Sequence, residues 1–202
     1  MNMSFSTRGF EAARRTLQSG ARNVRFAAMQ AVNDTGREVQ QFTVNKLLPE
    51  KFTLRSRGSA WQKPGNKLGF NLKFASKQTL TATLGSQANW LELQEKGGTK
   101  TAKGHRVAIA AQVRDTPTSI IPSRRKPRRL LERKQAFIIA TRKGDVVFER
   151  TGPRELKPLY ALKPSARVPA RLQFISHASA LADATFSQRF TMRFASAVAS
   201  SR

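Results

Sequence analysis

The chain has 202 residues, of which 37 are Lys or Arg and 12 are Asp or Glu, so its formal net charge is +25. A subunit with that excess repels itself and attracts polyanions or acidic partners, as proteins that work beside nucleic acid do. The absence of cysteine excludes disulfides, thiolate metal sites and a cysteine nucleophile. Apolar residues make up 39% of the chain, which predicts a core with some of the chain outside it.

The first long element is predicted to be a helix over residues 8–48. Gly20 is a candidate stop or kink, and Gly36 a candidate bend. Pro49 is expected to close the segment. One amphipathic stripe is predicted, and it consists of Val24, Ala28, Ala31, Thr35, Val39 and Phe42.

Two hairpins are predicted downstream. Leu68 to Phe74 and Leu80 to Leu84 alternate apolar and polar residues on either side of a short turn, after a polar loop at 52–67. Residues 88–98 follow as a short helix or a strand end. Phe137 to Ala140 and Val146 to Phe148 form the second hairpin around the turn RKGD, and a third strand ends at Pro164.

The C-terminal segment is predicted to be a helix that begins at Ser176 or His177. Phe186, Phe190 and Phe194 stack at intervals of four along one side of it. The predicted fold is therefore a single α+β domain over 1–202. Its antiparallel sheet is built from hairpins and is flanked by a long N-terminal and a C-terminal amphipathic helix.

Residues 99–134 have weak periodicity, several prolines and many cations. They are predicted to form an extended basic loop or arm, with a short strand over 106–113 and one helical turn in PRRLLERK.

The residues that usually carry catalysis are sparse. His105 and His177 have no acid at metal-ligand spacing, and both are expected to be surface or capping residues. Glu92 and Glu95 would share a helix face, where a solvated pair beside Lys96 is the simpler interpretation. The sequence therefore predicts a protein that is not an enzyme and that has no cofactor or metal site.

The stretch SRRKPRRLLERK at 123–134 is the strongest candidate contact site. Its cations are predicted to meet a polyanion or an acidic partner, and they are Arg124, Arg125, Lys126, Arg128, Arg129, Arg133 and Lys134. If all seven met phosphates, log K would fall with log salt with a slope of up to about 6. No recognition module surrounds them, so sequence-specific DNA binding is not expected. Four aromatic residues are candidates for contact between subunits, and they are Trp61, Phe186, Phe190 and Phe194.

The order of these elements resembles the minor tail and tail-completion proteins of long-tailed bacteriophages, including the minor tail protein Z group. The similar parts are the early helix RFAAMQAVNDTGREVQQFTVNKL, the hairpin segment KFASKQTLTATLGSQANWLELQEKGGTK, the basic centre, and the C-terminal KPSARVPARLQFISHASALADATFSQRFTMRFASAV. The resemblance covers most of the chain and implies a virion structural protein. It further implies a homo-oligomeric ring at the head-proximal end of a tail, around the DNA channel, that contacts other tail and neck proteins.

Alternative functions remain open on the sequence. In one alternative, the chain is a tail terminator or another minor tail component. In another, it is a non-specific nucleic-acid-binding protein. A nuclease that uses Glu92 and Glu95 with Mg²⁺ is the enzymatic alternative. No secretory signal and no run of about 18 apolar residues is present, so assembly in the host cytoplasm without membrane contact is expected.

Overall fold

The computed structural model describes residues 10–54, 64–102, 106–114, 116 and 119–199, with side chains from residue 20 onward. The chain divides into two compact units instead of the one domain expected. We call them the helical unit, which comprises Met1–Leu47, Ala60–Gln87 and Phe174–Arg202, and the sheet unit, which comprises Leu48–Ser59 and Ala88–Gln173.

Helices account for 45% and strands for 23% of the structure, which confirms the α+β class. The α-helices of the described residues are α1 (Phe10–Phe42), α2 (Leu48–Lys51), α3 (Asn89–Lys96), α4 (Pro127–Glu132) and α5 (Phe174–Ala199). The strands are β1 (Asn71–Lys73), β2 (Thr83–Gly85), β3 (Gly98–Thr101), β4 (Val107–Ala110), β5 (Phe137–Thr141), β6 (Gly144–Arg150), β7 (Leu156–Lys163) and β8 (Ser165–Val168).

Helix α1 runs without interruption through Gly20 and Gly36. The helix therefore does not end at Gly20, and Gly36 does not divide it. The irregularity lies later, in a π-helical turn over Thr43–Leu47. There the buried Thr43 hydroxyl donates a 2.7 Å hydrogen bond to the Val39 carbonyl, a side-chain bond of the kind that competes with regular helix geometry. Pro49 does not end the helical path either, because it lies in the first turn of α2, where a missing N–H is tolerated.

Helices α1 and α5 pack against each other in opposite directions within the helical unit. Glu38 pairs with Arg189 at 2.9 Å, and Asp34, one turn earlier, pairs with Arg193 at 2.6 Å, one turn later. Helix α5 begins at Phe174, slightly before the predicted start. The two long helices therefore pack on each other, and the larger sheet belongs to the other unit.

The first predicted hairpin exists as the short antiparallel ribbon β1–β2, in which Leu72 pairs with Leu84. Gly36 lets α1 approach this ribbon, because a Cβ at that position would lie 2.9 Å from Cδ1 of Leu72. Buried Asn33 fixes the chain beyond β1, since its amide oxygen accepts from Ala75 N at 2.7 Å and its Nδ2 donates to Ala75 O at 3.2 Å. The ribbon thus completes the packing of the helical unit.

The sheet unit contains an antiparallel four-stranded sheet with the order β4-β7-β6-β5. The predicted β5–β6 hairpin, its RKGD turn and the third strand ending before Pro164 are all confirmed. Between β6 and β7 the register shifts where Phe148 pairs with Pro158, which has no N–H to donate. The resulting bulge leaves consecutive Leu159 and Tyr160 both buried.

Residues 99–134 differ from the expected extended arm. They supply most of β3, which pairs with β8, and all of β4, which pairs with β7. Val113 and Leu130 lie in the core of the sheet unit, together with Val147, Leu159 and Tyr160. The segment is therefore attached through strand pairing and through Val113 and Leu130, each of which is almost completely buried.

Candidate polyanion-contact surface

The predicted basic stretch has a defined local structure. A 3₁₀ turn spans Ser123–Arg125, and α4 follows after Lys126, whose extended backbone occupies the N-cap position. Pro127 takes the first helical position, where proline is favoured because its fixed φ suits the helix and no N–H is needed. Lys134 ends the segment in the left-handed region at φ 56°. Pro127 thus starts α4.

Apolar packing and a hydrogen bond fasten this segment to the rest of the sheet unit. Leu130 is 3% exposed and packs in the core cluster. The hydroxyl of Tyr160, on β7, donates a 2.6 Å hydrogen bond to the carbonyl of Arg125. Burial raises the pKa of the Tyr160 hydroxyl, and the nearby Arg125 and Arg114 oppose that shift. The cations around α4 are therefore held on a fixed backbone.

Ion pairing separates these cations into two groups. Arg128 and Arg129 both contact Glu132, at 2.8 and 3.3 Å. The hydrogen bond from Arg128 lowers the pKa of the Glu132 carboxyl. Arg125 pairs with Glu149 of β6 at 3.4 Å. Three of the seven cations in 123–134 are thus engaged in ion pairs, and they share two carboxylates.

The second group faces an open depression of about 550 Å³ and consists of Arg124, Arg133, Lys134 and, from β6, Arg150. We call it the cationic depression, and its lining residues are Arg124, Arg125, Leu130, Arg133, Lys134, Gln135, Glu149 and Arg150. Among the described residues, no acidic side chain pairs with Arg124, Arg133, Lys134 or Arg150. Lys126 is exposed beside the depression but does not line it.

Sequence reasoning missed Arg150 and Glu149. Both belong to the end of β6, and antiparallel pairing with β7 brings this strand next to the basic segment. The run VVFER shows only a strand that becomes polar at its end. No local pattern indicated that its last two residues would meet a segment some twenty positions earlier in the chain.

The helical unit carries a different kind of surface on α5. Phe186 and Phe190 stack with ring centroids 6.1 Å apart, and Phe190 and Phe194 with centroids 6.0 Å apart. We call these three rings the aromatic ladder. Phe186 is 38% and Phe194 36% exposed, so the predicted stacking is present while much of the ring surface stays open. Trp61, the other predicted contact residue, lies outside the described residues.

An apolar groove of about 620 Å³ adjoins the ladder at Phe186. Its walls are α1, the β1–β2 ribbon and α5, with Val39, Leu72 and Leu84 among the lining residues. The hydroxyl of Thr35, 7% exposed, borders the groove and has no hydrogen-bond partner among the described residues.

The residues considered for catalysis belong to different elements, with Glu92 and Glu95 on α3 and His177 on α5. Glu92 pairs with Lys96 at 2.8 Å on the surface of α3, and this hydrogen bond lowers the pKa of the Glu92 carboxyl. His177 lies with its ring 6.4 Å from that of Phe42, and His105 lies outside the described residues. In the described part of the chain, no three His, Asp or Glu side chains form a group that would hold a metal ion. No helix there has the length and apolar character to cross a membrane.

The chain matches no protein-family model, no curated protein and no solved structure. The resemblance to phage tail-completion proteins therefore depends on the organisation of the sequence alone.

Proposed function

We propose that this chain is a non-enzymatic structural subunit of a phage particle, of the tail-completion or head–tail connector type. In this proposal it forms a homo-oligomeric ring at the head-proximal end of the tail, around the DNA channel, and contacts other tail and neck proteins. The observation that carries the proposal is that one chain bears two contact surfaces of different chemistry, apolar on α5 and cationic around α4.

The aromatic ladder supports contact between subunits. Large apolar side chains that remain more than a third exposed usually mark interaction surfaces when they lie together. Phe186 and Phe194 meet that description, and Val198, 37% exposed, continues the strip by one further turn. Burial of such rings against a like subunit would stabilise an oligomer, since aromatic residues dominate the energetics of interfaces.

The charge supports a position beside DNA. A ring multiplies the charge of +25 per chain, so its assembly requires anions close to the cations. DNA in a central channel supplies them continuously. The same reasoning fits a tail terminator or another minor tail component. The cationic depression also favours a second candidate, a non-specific nucleic-acid-binding protein that acts outside a particle.

Native mass spectrometry of the purified protein, with and without duplex DNA, tests the ring. We expect one closed oligomer, which negative-stain electron microscopy should show as a ring. Replacement of Phe186 and Phe194 by Ala should shift it toward monomer, whereas Met192→Ala should not. Met192 is the matched control because it is a large apolar residue of α5, 57% exposed and outside the ladder. A chain that stays monomeric with and without DNA would contradict the proposal.

A further inference from the structure

The unpaired cations around α4 converge from separate segments of the sheet unit. Arg124 comes from the 3₁₀ turn, Arg133 and Lys134 from the end of α4, and Arg150 from β6. They surround one depression of about 550 Å³, and Glu149 is its one acidic lining residue among those described. Arg150 has no acidic partner there, although its Nη1 donates a 3.0 Å hydrogen bond to the carbonyl of Pro153. We infer that the cationic depression binds the phosphodiester backbone of nucleic acid through these four side chains and does not read its sequence.

The lining favours phosphate over an acidic protein surface. Protein interfaces usually contain an apolar, often aromatic, centre that supplies most of the binding energy. Leu130 is the one apolar lining residue among those described, and it is 3% exposed, so the depression offers no such centre. Guanidinium groups, in contrast, match the geometry of phosphate oxygens with paired N–H donors. Three of the four unpaired cations are arginines.

Ion pairing determines which cations take part. Arg128 and Arg129 share Glu132, and neither lines the depression, so they are not expected to contact the backbone. Arg125 lines it but is offset by Glu149. About four phosphate contacts should therefore form, which predicts a salt slope near 3.6 from this surface, well below the value of about 6 for all seven cations of the sequence stretch.

The absence of base-reading groups predicts binding without sequence preference. No aromatic side chain lines the depression in the described part of the chain, so stacking on bases is not available there. Within the described ranges, Gln135 is the single uncharged polar residue that lines it. Backbone contact alone gives affinity that depends on salt and is indifferent to sequence.

Fluorescence anisotropy with a labelled duplex of about 20 base pairs, titrated between about 50 and 200 mM salt, tests this inference. The test variant is R133Q/R150Q and the matched control is R128Q/R129Q, because both remove two positive charges. We expect the test variant to lower the salt slope by about 1.8 and to weaken binding by up to about 60-fold at 0.1 M salt. The control should lose much less affinity than the test variant, because neither Arg128 nor Arg129 lines the depression.

Several outcomes would overturn the inference. Equal losses in the two variants would mean that net charge alone attracts DNA. A duplex of different sequence that binds much more tightly would contradict backbone contact, and tighter binding of poly-glutamate than of DNA would indicate an acidic protein partner. Single-stranded RNA of equal length serves as the other source of phosphodiesters, and comparable affinity would leave the inference intact. Circular dichroism and thermal unfolding of each variant establish that it is folded.

The inference rests on the part of the proposed function that places cations beside DNA, but the two fail separately. Loss of DNA binding only in R128Q/R129Q would refute the assignment of the depression and leave a ring possible. A monomeric chain that still shows the expected difference between variants would refute the ring and keep the DNA contact.

Discussion

The hydroxyl of Tyr160 lies 2.6 Å from the carbonyl oxygen of Arg125 and donates a hydrogen bond to it. This bond joins the buried bulge of β7 to the turn that begins the cationic depression. Tyr160 is 3% exposed and lies in the same core cluster as Leu130 of the basic segment. The position of Arg124 and Arg125 therefore depends on the packing of the sheet core.

Tyr160→Phe should keep the packing and remove that one bond. We expect the free energy of unfolding to fall by about 1 kcal/mol, as for other single hydrogen bonds, with the Arg125 carbonyl left to find water. Urea unfolding measures the change. An unaltered midpoint would mean that the bond does not hold the turn, and DNA affinity equal to that of the unmodified chain would then also be expected.

Tyr160 is the only tyrosine of the chain, so tyrosinate absorbance reports on it alone. Burial raises its pKa, against the opposing effect of Arg125 and Arg114. At a pH between the unfolded and the folded pKa, the folded state therefore keeps the hydroxyl proton that the unfolded state has lost. Stability from this group is complete below about pH 10 and declines as pH rises from there through the folded pKa, by at most about 1.4 kcal/mol per pH unit.

Two measurements check that pH dependence. Absorbance titration should give a higher midpoint for the native protein than for the protein in denaturant. The Tyr160→Phe variant should lose less stability above pH 10 than the unmodified chain. Lysine deprotonation occurs in both proteins and therefore does not account for the difference. A native midpoint at or below the denatured one would contradict the burial described for this hydroxyl.

Asn33→Ala should destabilise the helical unit more strongly. The substitution leaves both the N–H and the carbonyl of Ala75 without their buried partner, which costs about 2–3 kcal/mol. Asn45→Ala, at an exposed position of the following π-helical turn, is the comparison for loss of a helical asparagine outside this pair of bonds. A loss at Asn33 no greater than at Asn45 would argue against the link between α1 and the ribbon.

The two helical glycines should respond oppositely to alanine. No atom of the described structure lies within 4 Å of a Cβ built at Gly20, so Gly20→Ala should stabilise α1 by up to about 1 kcal/mol. At Gly36 the added carbon would press on Leu72, and the gain in helix propensity should be offset. Thermal unfolding of both variants measures the two changes in stability. Equal gains would mean that Leu72 moves aside without cost.

Much of the fold could be predicted from local patterns. The later part of the α1 stripe, the stacked rings of α5 and the β5–β6 hairpin all follow from spacing within about a dozen residues. The start of the stripe was wrong, because Val24 is 42% exposed and Ala27 is buried in place of Ala28. Residues 99–134 could not be placed in this way, because their attachment depends on long-range strand pairing and on a few apolar residues, Val113 and Leu130 among them, in a segment of weak periodicity. Strand β3 pairs with β8, more than sixty residues later, and such pairing has no local signal.

The candidate site was predictable to a similar degree. Its cations in 123–134 were evident from composition. Which of them form ion pairs was not evident, because Glu132 contacts two arginines through helical spacing and Glu149 contacts Arg125 through the tertiary fold. Arg150 reaches the depression through tertiary structure alone.

The measurement that tests the central proposal most directly is mass spectrometry of purified phage particles from the source culture, after DNase treatment and a high-salt wash. A ring subunit is held by protein contacts, so the account predicts that the chain remains at a constant copy number, from a few to about a dozen per particle. Loss of the chain with the DNA, or its absence from washed particles, would contradict a structural role in the tail. The cationic depression would then belong to a nucleic-acid-binding protein that acts outside the virion.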